Sequence, residues 1–119
     1  MLVNPNFADE TTSAMVVSPH ITVMIMTHER FKSFMPTEKQ LISGRTATEV
    51  LLCVGVEKKD DVDSIMEKVE KAGGKLDPTK MPEMEGWYGR SFEDLDGHIW
   101  ELGWMEAIVG DKRKCEGQE

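Results

Sequence analysis

The stretch Tyr88–Leu102 restricts the fold more than any other part of the chain. Two runs of strand-forming residues flank Asp96-Gly97, and glycine there accepts the positive φ that hairpin turns need. Beyond the turn, side chains alternate. His98, Trp100, Leu102 and Trp104 fall on one side of a strand, and Ile99, Glu101, Gly103 and Met105 on the other. The rings on the first side predict a core face. Glu101 is left on the second side, where a carboxylate meets either solvent or a cavity.

The rest of the chain supplies elements that such a hairpin can pack with. Residues 12–17 and 21–27 read as strands joined by the turn Ser18-Pro19-His20. His28 to Met35 reads as a short helix capped by Thr27 and stopped by Pro36. Glu49 to Val56 is a strand with Glu49, Leu51, Cys53 and Gly55 on one face. A helix comes next, capped by Asp60 or Asp61, with Val62, Ile65, Met66, Val69 and Ala72 as its apolar stripe. Gly73-Gly74 ends it. Lys75-Leu76-Asp77 is extended, and Pro78 and Pro82 break the chain between it and Gly86. Residues 48–106 therefore run strand, helix, strand, strand, strand. The turns Ser18-Pro19-His20-Ile21 and Asp96-Gly97-His98-Ile99 echo each other as a weak internal repeat.

Composition narrows the class. The 119 residues form one domain, with 39% hydrophobic and 30% charged residues, as in a soluble globular protein. A net charge of −8 without a Lys/Arg cluster argues against nucleic acid. No apolar run is long enough to span a bilayer, and no secretion signal opens the chain, so a cytoplasmic location is expected. Cys53 in a buried strand and Cys115 in a polar tail at 107–119 read as free thiols of a reducing compartment. Nine methionines read first as adaptable core filling.

Tyr88-Gly89-Arg90-Ser91-Phe92 followed by Asp94-Leu95-Asp96-Gly97-His98-Ile99-Trp100-Glu101 resembles the closing signature of the vicinal oxygen chelate superfamily. That group includes glyoxalase I, bleomycin-resistance proteins and extradiol dioxygenases. The resemblance implies an α+β fold of paired βαβββ modules forming a cup-shaped curved sheet. Residues 1–106 make the domain. Residues 48–106 are its second module; residues 1–47 are a partial first module, lacking its leading strand and helix, and the connection.

The superfamily usually holds a divalent metal with ligands from the first and last strands of each module. Carried over residue by residue, Glu101 matches one ligand and is also the implied catalytic group. The aligned first-strand position is Leu51, which has no donor; Glu49, two residues earlier, is the substitute. Val23 aligns with Glu101 in the first module and offers nothing. Two carboxylates fall short of an ordinary catalytic metal site. The resemblance thus implies a metal-dependent lyase acting on a small carbonyl or thiol-adduct substrate. Its alternatives are a metal-free small-molecule binder of the bleomycin-resistance type and a non-catalytic dimeric module.

Glu49, Leu51, Cys53, Trp87 and Arg90 are the ligand-binding candidates. Trp87 and Tyr88 point to opposite sides of their strand, so one of them lines the cup. Arg90 can hold an anion through its fork, or pair with Glu93, Asp94 or Asp96 to fix the hairpin, its first reading. Cys53 has no neighbouring His or Lys in the pattern to activate it and reads as packed. An absent leading strand leaves a sheet edge open, and such edges pair with other chains. A homodimer with strand or module exchange is the expected partner arrangement.

Overall fold

The computed structural model describes residues 8–106, together with the backbone pairing of residues 2–3. The polar tail at 107–119, with Cys115, lies outside the described residues. The chain divides into two compact units between Ile42 and Ser43. No helix among the described residues is long and apolar enough to cross a membrane.

The first unit is a three-stranded antiparallel sheet in the order β1 (Leu2–Val3), β2 (Thr12–Ser18), β3 (Ile21–Met26). The β2–β3 register runs from Thr12↔Met26 to Ser18↔Ile21, with one irregularity between Val16 and Ser18. Helix α1 spans His28–Lys32, and the Thr27 hydroxyl accepts from the Arg30 N–H at 3.3 Å, the expected N-cap. The helix stops short of Met35. Phe34 and Met35 close i→i+3 bonds to Phe31 and Lys32, a tightened end that leads into Pro36.

The second unit contains β4 (Leu52–Gly55), α2 (Lys59–Lys71), β5 (Lys75–Leu76), β6 (Trp87–Glu93) and β7 (Ile99–Met105). The sheet order is β4-β7-β6-β5, with β4 parallel to β7 and the other neighbours antiparallel. This is the βαβββ order expected from the sequence. The strand expected from Glu49 begins only at Leu52. Among the described residues β4 is an edge strand paired with β7 alone, and its register opens at Leu52↔Trp100. Val50 and Leu51 precede it and are 62% and 55% exposed.

Helix α2 starts differently from the expectation. Lys58 is the N-cap residue, and Asp61 occupies the third helical position, its carboxylate accepting from the Lys58 N–H at 3.2 Å. Asp60 and Asp61 both sit in the first turn, where negative charge complements the helix dipole. The far end is a Schellman motif. Gly73, at φ 95°, donates to the Glu70 carbonyl, and Gly74 donates to the Val69 carbonyl.

The apolar stripe of α2 covers one face of the sheet. Val62 and Met66 are fully buried against Leu102, and Val54, Ile65, Leu76, Tyr88, Phe92 and Trp104 pack around them. Each fully buried aliphatic side chain here contributes about 1.5–3 kcal/mol. Phe92 and Trp100 are cross-strand partners whose rings stack at 6.1 Å. The closing hairpin is a three-residue loop. Asp94 donates to the His98 carbonyl, Gly97 donates to the Asp94 carbonyl, and Gly97 takes a φ of 93°. Its positive φ is the one expected of the Asp-Gly pair.

Candidate functional site

Strand registers define the face of the second sheet that α2 leaves uncovered. Cys53, Glu101 and Ser91 are direct neighbours across β4, β7 and β6. The next row is Gly55, Gly103 and Gly89. Directly paired residues share a face, so Glu101 lies between a thiol and a hydroxyl, beside a row without side chains. Trp87, two residues from Gly89, fills that vacancy. Its indole lies over Gly89 and Gly103, and a Cβ at Gly103 would sit 3.4 Å from Nε1. At Gly55 the space above the backbone is open.

Glu101 is half-buried. Among the described residues its carboxylate makes no ion pair. Ser91 is fully buried, and its hydroxyl lies 2.9 Å from that of Thr79 and donates to the Thr79 carbonyl at 3.1 Å. Cys53, expected to be packed, is exposed. It projects from an edge strand on the face away from α2, and the core lies on the other side. Glu49 and Leu51 precede β4 and are exposed.

Arg90 belongs to the opposite face. It pairs across the sheet with Leu102, whose side chain lies in the core under α2. Its guanidinium donates to Asp77 at 3.1 and 2.6 Å and to Asp63 on α2 at 3.0 Å. The hairpin carboxylates expected as its partners are not used. Tyr88 also lies on the α2 face, and its hydroxyl donates to Asp63 at 2.6 Å. Tyr88, then Arg90, holds the Asp63 carboxyl below its usual range, and the bond to Asp63 pushes the Tyr88 hydroxyl up. Asp77, above all, raises the Arg90 guanidinium.

Asp94, expected from the sequence as a partner for Arg90, has a different role. Its Oδ1 accepts from the Asp96 and His98 N–H groups, both at 2.9 Å, and its Oδ2 from Trp100 Nε1 at 2.9 Å. This one carboxylate ties the turn of the closing signature to the Trp100 ring.

Three solved structures share this architecture. A hypothetical protein, SA1046, from S. aureus has a TM-score of 0.63 at 24% identity, over 89% of this chain and 75% of that one. A glyoxalase/bleomycin resistance protein/dioxygenase family enzyme from Burkholderia phytofirmans PsJN has a TM-score of 0.63 at 15% identity, over 87% and 79%. The genomically encoded fosfomycin resistance protein FosX from Listeria monocytogenes has a TM-score of 0.54 at 15% identity, over 95% and 76%. The fold is that of the vicinal oxygen chelate superfamily. No family model and no curated protein matches the chain. At these identities the likeness speaks for the vicinal oxygen chelate fold and not for an activity.

The metal that this fold commonly holds does not fit the residues present. Among the described residues, no three His, Cys, Asp or Glu side chains converge on one point. Glu101 has one further donor beside it on the sheet, the Cys53 thiol, because Ser91 is bound to Thr79. Glu49 lies outside β4, and Val23 on β3 has no donor atom. A catalytic zinc site ordinarily needs three protein ligands.

Proposed function

We propose that this chain binds a small organic cation on the Glu101 face of its second sheet, without a metal. The observation that carries this reading is the pairing of a half-buried carboxylate, free of ion pairs among the described residues, with an indole on the same face. A carboxylate supplies the counter-charge, and an aromatic face attracts a desolvated cation. The overall charge of −8 draws cations toward such a site. This corresponds to the metal-free binding that the bleomycin-resistance branch represents.

Calorimetry and thermal shift against quaternary ammonium and amidinium compounds test it. A ligand at saturation raises the melting temperature by mass action, and Glu101→Gln weakens its binding at least about tenfold. Stoichiometric uptake of Zn²⁺, Ni²⁺ or Mn²⁺ with turnover of a hemithioacetal would instead establish the metal-dependent lyase.

We also propose that the chain forms a homodimer through β3. This outer strand reads Ile-Thr-Val-Met-Ile-Met, with no charge and no proline, and Ile21, Met24 and Ile25 are 56%, 48% and 46% exposed. Solvent-facing edge strands ordinarily carry charges or prolines that block further pairing.

A further inference from the structure

The outer edge of β6 carries an unpaired peptide group that faces a cavity. The β6–β7 bonding pattern is fixed at both ends: Asp94 N–H donates to the His98 carbonyl at 2.9 Å, and Glu106 N–H donates to the Gly86 carbonyl at 2.7 Å. Alternation along the strand then turns the main-chain groups of Trp87, Gly89 and Ser91 away from β7. Two of these positions are closed from the far side. Trp87 N–H donates to the Met84 carbonyl at 3.3 Å, and the Ser91 carbonyl accepts from Asp77 N–H at 2.9 Å. Between them, Gly89 is buried, and its N–H and carbonyl have no partner among the described residues.

The sequence explains the gap. Continuing the Lys75↔Glu93 and Leu76↔Phe92 register would bring Thr79 opposite Gly89. Asp77 still bonds the Ser91 carbonyl but adopts a left-handed φ of 52°, outside the extended range, so the chain leaves β6 beyond it. Thr79 turns its N–H to the Ser91 hydroxyl at 3.4 Å. Gly89 faces a cavity of about 420 Å³ whose walls include Thr79, Met81, Met84, Trp87 and Tyr88. That volume suits a small molecule.

The polar side chains of the inner wall are already engaged. Asp77 holds Arg90, Tyr88 holds Asp63, and the Thr79 and Ser91 hydroxyls hold each other. Lys80 and Glu83 are exposed, with opposite charges. The Ser91 N–H is also without a partner among the described residues, but Asp77 covers that position from the far side. At Gly89 one donor and one acceptor flank a single α-carbon, next to an indole and two thioethers. Buried main-chain groups normally find partners. The chemical complement of this pair is another N–H and C=O flanking one carbon, the core of an N-acylated α-amino acid. Its side group would project on the Trp87 side, as in any directly opposed antiparallel pair.

We propose that this cavity binds one residue's worth of N-acyl-α-amino-acid amide with an aromatic side group, paired to Gly89 and packed on Trp87 and the thioethers of Met81 and Met84. Sulfur and ring contacts favour an aromatic group there. The Met84–Trp87 and Asp77–Ser91 bonds close the edge on either side, so a single unit fits and an extended peptide strand does not. The inference stands on the β6 edge and does not depend on Glu101 or on cation binding.

The test is a titration of the ¹⁵N-labelled protein with N-acetyl-L-phenylalaninamide, followed by amide shifts. The Gly89 amide proton moves downfield and saturates. The N-methylated analogue, which lacks the donor for the Gly89 carbonyl, binds at least about tenfold more weakly. An acetylated tripeptide amide with central phenylalanine also binds more weakly, because the two closures obstruct its flanking residues. The proposal falls if Gly89 does not respond up to the solubility limit. It falls equally if the N-methyl analogue binds as well, if the tripeptide binds more tightly, or if the largest shifts lie at Cys53 and Glu101. Loss of cation binding in Glu101→Gln speaks only to the Glu101 face, so the two readings fail separately.

Discussion

The indole of Trp87 occupies the space that any side chain at Gly89 would need. A Cβ built there overlaps its six-membered ring, and the same ring system reaches over Gly103 on the neighbouring strand. The glycines are therefore part of how the tryptophan packs, and the tryptophan in turn forms a wall of the β6 cavity.

Gly89→Ala forces the ring to move and costs about 1–3 kcal/mol, the usual range for overpacking. In the Trp87→Ala background the same change is milder, because the ring is gone and only the Leu102 carbonyl oxygen, 3.1 Å from the added Cβ, remains close. Urea denaturation of the wild type, the two single variants and the double variant measures the coupling. Additivity within about 0.5 kcal/mol would show that the two residues do not share this space.

Asp94 anchors the closing hairpin through three charge-assisted hydrogen bonds, one of them to the part-buried Trp100 ring nitrogen. Asp94→Ala leaves all three donors without that acceptor and destabilises the fold by about 2–3 kcal/mol. Asp94→Asn keeps an amide oxygen for one set of donors and loses less. The check is the urea midpoint together with the near-ultraviolet tryptophan signal, which reports whether Trp100 keeps its stacked position on Phe92.

This residue also marks where sequence reading stops. The helical period exposed Val62 and Met66, and both are fully buried. Alternation placed Leu102 and Trp100 toward the core, and both are buried. The glycine turn and the strand–helix–strand order were legible for the same reason: each is a local rule read over a few residues. Cys53 was misplaced because an apolar strand resembles a doubly covered one, and only pairing reveals that β4 is an edge. Asp63 and Asp77 were missed as partners of Arg90 because they are 27 and 13 residues away in the chain. The Gly89 gap had a faint signal in Pro78 and Pro82. Prolines that break a strand remove its pairing, and the consequence falls on the neighbouring strand.

The Tyr88–Asp63–Arg90 cluster ties α2 to β6 and sets two limits on stability with pH. The lowered Asp63 carboxyl contributes stability above its ordinary range, and that contribution is lost as pH falls through its depressed folded value. The raised Tyr88 hydroxyl works at the other end. Its contribution is complete below about pH 10 and is lost as pH rises through the elevated folded value. Tyr88→Phe therefore flattens the alkaline limb and, by removing a donor to Asp63, weakens the acid limb. Asp63 is 55% exposed, so solvent screening keeps the loss near neutrality to about 0.5–1 kcal/mol. Stability measured from pH 3 to about pH 11 checks both limbs, and an unchanged alkaline slope would separate Tyr88 from the effect.

The proposed dimer makes the outer edge of β3 the most sensitive part of the first unit. Met24 lies mid-strand, opposite Ala14 on β2, and is half exposed. A lysine there places a charge where a second copy would approach, while its flexible stem reaches solvent in a single chain. Met24→Lys is thus expected to shift sedimentation equilibrium from dimer toward monomer, with the folded far-ultraviolet spectrum retained. Met24→Leu keeps the apolar surface and the dimer. A wild-type chain that sediments as a monomer at every concentration tried would remove β3 as an interface. A Met24→Lys variant that stays dimeric would move the contact to another surface.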